Sequence, residues 1–142
     1  MEQARKNLKV TSIAVLILAG LSLINLVMEI FFGEMNETGA SESILLVAKI
    51  TLVVVSLLLL LPQVYVGMKG LRVVANPDAS KAHIIWATIL LVLAALGVIT
   101  PVLSIVKLEN LLGNISALIS ALAEVVIFFI YVKNASVISK EN

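Results

Sequence analysis

Residues 111–132, LLGNISALISALAEVVIFFIYV, decide how this chain folds. The run is apolar and has the length, about 20 residues, that a helix needs to cross the hydrocarbon of a bilayer. Lys133 marks one end of it, and Glu124 lies nine residues earlier. At about 1.5 Å per residue that separation is roughly 13 Å, near the middle of a ~30 Å core. A carboxylate at that depth costs at least ~2.5 kcal/mol on insertion scales, so Glu124 is expected to face protein or water and not lipid.

Three more apolar runs precede it. The four spans are about 10–32, 44–68, 84–106 and 111–132, within one domain covering 1–142. Ile50–Met68 holds nineteen consecutive uncharged residues and Ile84–Val106 holds twenty-three. The whole chain of 142 residues is 61% hydrophobic and 13% charged, with a mean hydropathy of +1.12. Soluble domains carry about 25% charged residues, so the expected solvent is lipid. Helices are the open segments that satisfy their own backbone there. The expected fold is an all-α integral membrane protein, an antiparallel bundle of four transmembrane helices.

Arg5, Lys6 and Lys9 ahead of the first run look like the start of a secretory signal. The run continues to Phe32, past the usual core of about 7–15 residues, and reads as a retained first span. Loop 1, Gly33–Glu42, carries Glu34, Glu37 and Glu42 and no Lys or Arg. Loop 2 is expected over Lys69–His83, with Asp78 or Ser80 capping the third span. Loop 3, Lys107–Asn110, forces spans 3 and 4 into a hairpin. The N-terminus, loop 2 and the C-terminus together hold eight of the ten Lys and Arg. Positive loops stay inside, so both termini are expected in the cytoplasm, with the protein multi-pass in the plasma (inner) membrane.

Polar residues within the spans are the candidate functional groups. In span 4, Gly113, Ser116, Ala117, Ser120, Ala121, Ala123 and Glu124 form a stripe at helical spacing that Tyr131 continues. Small residues let helix backbones approach closely, which makes the stripe a packing face. The sharper reading makes Glu124 an ion- or proton-handling carboxyl. Span 1 offers Ser22, Asn25 and Glu29; span 2 offers Lys49, Ser56 and Gln63 at heptad spacing, with Gly67 next on the same face. Glu29 and Lys49 lie at similar depth on adjacent arms, so an ion pair is expected, with a snorkelling Lys49 as the alternative. Pro101 predicts a kink near Gly97–Pro101. His83, Trp86, Tyr65 and Tyr131 are expected as interface anchors.

The chain has no cysteine and one histidine, which leaves no thiol nucleophile, disulfide or thiolate metal site. There is no Walker loop, dinucleotide turn, zinc-protease helix or His–acid pair within a span. The expectation is a non-enzymatic protein with no catalytic residue, metal or cofactor. Nucleic acid is not an expected partner, because the basic residues amount to ordinary positive-inside charge. Asn36-Glu37-Thr38 matches the glycosylation tripeptide, a pattern frequent by chance.

The run Gly67-Met-Lys-Gly70-Leu-Arg72, followed by Asn76-Pro77-Asp78 and Ser80-Lys81, resembles the middle loop of small uncharacterised bacterial four-span proteins. That resemblance implies the architecture and no activity. Rotor proteolipids of V-type ATPases also place a glutamate in a fourth span, but are far richer in glycine than a chain with seven. The function expected is that of an accessory or assembly subunit, associating with itself or another membrane protein in the bilayer. The alternative is a small oligomeric channel or transporter whose path passes Glu124.

Overall fold

The computed structural model describes residues 2–32 and 42–142, the side chain of Phe32 excepted. Among these residues every regular element is helical: α1 (Glu2–Phe32), α2 (Glu42–Ala75), α3 (Ala82–Leu96), α4 (Ile99–Val106) and α5 (Leu111–Lys140). α3 and α4 make one interrupted span, so four helical spans are long and apolar enough to cross a membrane. The helices pack in a ring, α1 against α2, α2 against α3, α3 against α5 and α5 against α1, with α4 also on α5. Glu34, Glu37 and the tripeptide Asn36–Thr38 lie outside the described residues.

The helices run further than the apolar spans. α1, α2 and α5 have 31, 34 and 30 residues, about 45–51 Å each. Lys69 and Arg72, expected in a loop, belong to α2, and the true connection is only 76–81. Lys and Arg are good helix formers, and cations are favoured near a helix C-terminus. The chain therefore had no local reason to stop at Lys69. The charged flanks also bury a face: Ala4, Leu8 and Ser12 in α1, Val73 in α2, Ala135 and Ile138 in α5.

That burial is lopsided. The core, with Leu8, Val15, Val66, Val73, Ala87, Leu90, Phe128, Tyr131 and Ile138, gathers at the end of the bundle holding residue 2 and Lys140. Arg5 sets the register there, donating from Nε and Nη2 to the Val74 carbonyl at 3.1 and 2.6 Å. This ties the start of α1 to the last turn of α2, where carbonyls lack helical partners. Asn7 donates to Asn134 at 3.4 Å, and Ser139 to the Ala79 carbonyl at 3.3 Å. Toward the opposite end the helices expose most of their apolar side chains, from Leu21 to Met28 and from Ile44 to Leu61.

Two glycines permit the closest approach. A methyl group at Gly67 would meet Leu16 at 2.6 Å; one at Gly70 would meet Ser12 Oγ and, at 2.7 Å, the Tyr131 ring. Here the α2 backbone meets the Ser12 carbonyl and side chains of α1, and the Tyr131 ring of α5.

The expected kink is present as a break between α3 and α4. Pro101 has no N–H for the Gly97 carbonyl, and its ring crowds that same group; the helix is interrupted at Gly97–Val98. Pro62 sits inside α2 without ending it. The expected cap on α3 is not made: Lys81 occupies the N-cap, and no side chain bonds to the free amides. Asp78 is engaged elsewhere, accepting from Ser80 N–H at 2.9 Å and Lys69 Nζ at 3.3 Å. The Ser80 amide, then Lys69, hold its carboxyl below the usual aspartate value, against an opposing push from partial burial.

Candidate functional site: the Glu124 cleft

α5 projects Ala117, Ser120, Ala121, Glu124 and Phe128 along one side, at steps of three and four residues. Leu90, Leu93 and Ala94 of α3 and Gly97 at its end face them, with Leu59 and Gln63 of α2. These residues line a cleft of about 540 Å³, within the range of about 300–1,000 Å³ typical of ligand sites. Phe128, Leu90 and Ala94 belong to the buried core, so the cleft is closed toward the termini. Glu124 is half-buried, and its carboxyl makes no hydrogen bond or ion pair among the described residues.

Gln63 joins this cleft to a second cavity. The smaller one, about 220 Å³, lies between α1 and α2 and is lined by Ser22, Leu23, Leu26, Ser56, Leu59, Leu60 and Gln63. The Gln63 Oε1 atom is buried with no donor among the described residues. Ser22, Ser56, Gln63, Ser120 and Glu124 thus mark a polar line through two adjoining spaces.

The other candidates lie elsewhere. Asn25 and Glu29 are exposed and Lys49 is half-buried; none lines either cavity. The expected Glu29–Lys49 pair is not formed: among the described residues the ion pair is Lys69–Asp78. Ala117, Ser120 and Ala121 line the cleft, whereas Gly113 and Ser116 are exposed outside it. The nearest neighbour of a methyl at Gly113 would be Asn110, the residue that caps α5, whereas methyls at Gly67 and Gly70 would meet neighbouring helices.

Two expected interface anchors are core residues. His83 and Tyr131 are 1% and 0% exposed, whereas Trp86 and Tyr65 are 44% and 40% exposed. Tyr131 donates to the Val66 carbonyl at 2.8 Å, and His83 Nδ1 lies 2.7 Å from the same hydroxyl. These bonds link α2, α3 and α5. The Tyr131 ring packs against Gly70, where a side chain would collide with it.

The cleft offers one carboxyl, one amide and one hydroxyl in apolar walls. Those groups can bind, orient or exchange a proton; they include no nucleophile paired with a base. Among the described residues no three His, Cys, Asp or Glu side chains gather as metal ligands would. Comparison with known protein families, curated proteins and solved structures finds no match.

Proposed function

We propose that this chain is a non-enzymatic, multi-pass membrane subunit that acts through helix–helix association at the Glu124 cleft. The supporting observation is the cleft itself, where among the described residues Glu124 has no hydrogen-bond or ion-pair partner and the buried Gln63 Oε1 has no donor. Polar groups facing lipid are costly, and a neighbouring helix relieves that cost by hydrogen bonding. Ala117, Ser120 and Ala121 beside Glu124 let such a helix come close. Its source is a second copy of this chain or another membrane protein. Under the positive-inside rule this reading has both termini in the cytoplasm and the spans in the plasma membrane, which the positive ends support.

The chain contains no cysteine, so a Ser120→Cys variant carries a single reactive site. Labelled there with a thiol-directed photocross-linker and irradiated in membranes, it should give a discrete larger species: a homodimer if a second copy is seated, a heterodimer if another subunit is. A purely monomeric product at all cross-linker lengths would sink the reading.

The adjoining cavities that share Gln63 favour a second reading, passage of a proton or cation along Ser22, Ser56, Gln63, Ser120 and Glu124. Flux into reconstituted vesicles, wild type beside Glu124→Gln, separates the two. A flux abolished by Glu124→Gln would replace association with transport as the primary role.

A further inference from the structure

The end of the bundle that carries the termini holds another cavity, remote from Glu124. It measures about 200 Å³ and lies between the start of α3 and the last turns of α5, lined by Lys81, Ile84, Ile85, Ser136, Ser139 and Lys140. Both lysines are exposed, and neither has a carboxylate within ion-pair distance among the described residues. Asp78, nearby in sequence, is committed to Lys69, and the exposed Glu141 pairs with neither lysine. Ser139 spends its proton on Ala79, while the Ser136 hydroxyl has no partner among the described residues. The first amides of α3 have no side-chain cap, so the positive end of that helix adds to the field of Lys81.

The cavity also sits at a chemical boundary. Ile84 opens the twenty-three-residue uncharged run, and Lys133 closes the apolar part of α5. Two ammonium groups and a free hydroxyl therefore stand beside two isoleucines, where apolar helix gives way to charged helix. A phosphate ion would answer only the polar minority of this lining; a phospholipid answers both parts. Basic pockets between spans at the inner membrane face bind such head groups.

We propose that this cavity binds the phosphate of an anionic phospholipid. Lys81 and Lys140 take its charge, Ser136 donates to a phosphate oxygen, and the first acyl carbons lie against Ile84 and Ile85. The site rests on the reading that the spans cross a membrane, which an independent topology assay checks.

The test uses full-length protein in discs of mixed phosphatidylcholine and phosphatidylglycerol, released for native mass spectrometry to identify the lipids retained. Wild type should keep phosphatidylglycerol preferentially. Lys81→Ala with Lys140→Ala should weaken that preference by roughly 30-fold, the worth of two surface lysines. Lys6→Ala with Lys9→Ala removes the same charge outside the cavity and should weaken the preference far less. Lys81→Arg with Lys140→Arg keeps the charge and should retain the lipid, which guards against misfolding as the explanation. Equal loss in both alanine pairs, or no preference in wild type, overturns the site. Inorganic phosphate alone stabilising wild type as well as the lipid does would overturn the lipid assignment in favour of a free anion.

Discussion

His83 Nδ1 lies 2.7 Å from the Tyr131 hydroxyl, and the two rings meet edge-on at 84° with centroids 5.8 Å apart. The phenolic proton is committed to the Val66 carbonyl. A carbonyl cannot donate, so the proton between His83 and Tyr131 must come from Nδ1. One hydroxyl therefore fixes a histidine tautomer and holds three helices together.

Tyr131→Phe keeps the ring beside Gly70 but strands the buried Nδ1–H of His83. An unsatisfied buried donor costs about 1–3 kcal/mol, and unfolding in a mild detergent should show a loss of that size. Tyr65→Phe, at a 40% exposed position, should stay within about 0.5 kcal/mol. Equal losses in the two variants would contradict the bridging role.

Gly70→Ala and Gly20→Ala should move in opposite directions. A methyl at Gly70 runs into Ser12 and Tyr131, while at Gly20 nothing lies within 4 Å. The first should destabilise by about 1–3 kcal/mol through overpacking. The second should be neutral or stabilise by up to about 1 kcal/mol through helix propensity. The same detergent unfolding assay reads both, and a neutral Gly70→Ala would mean the helices do not meet there.

Glu29 and Lys49 should behave independently. In a double-mutant cycle with Lys49→Ala and Glu29→Gln, the coupling should fall within about 0.5 kcal/mol of zero. A larger favourable coupling would show that the pair forms in the membrane.

The number of spans, the Lys107–Asn110 hairpin and the break before Pro101 were legible because each follows from a local rule: apolar length, loop length, a missing N–H. The ends of the helices were not. Lys69, Arg72 and Lys133 mark where lipid-compatible composition stops, yet Val73, Ala135 and Ile138 carry the buried face past them. Glu124 was legible as a candidate because a single acid in an apolar run has few bland explanations. Its companion Gln63 was one of several polar residues in span 2, and spacing could not show that two cavities share it. His83 and Tyr131 read as surface anchors because composition does not reveal that Gly70 leaves room for the ring.

Topology is tested by the ends. A reporter fused after Asn142 should work only if it is active in the cytoplasm, and a tag near Gly39 should be accessible outside intact cells. A protected tag at Gly39 would reverse the orientation.

The central claim is that the face carrying Ala117, Ser120, Ala121 and Glu124 seats a helix of another subunit. Native mass spectrometry of gently extracted protein tests it most directly, comparing wild type, Glu124→Gln and Glu124→Leu. An amide keeps the size and hydrogen bonding of the carboxyl, so Glu124→Gln should retain the assembly seen for wild type. Leucine removes the polar group and puts a branched apolar side chain into a small-residue face, so Glu124→Leu should release a single folded chain. A wild type that is a single chain, or a Glu124→Leu assembly as intact as wild type, would contradict the account.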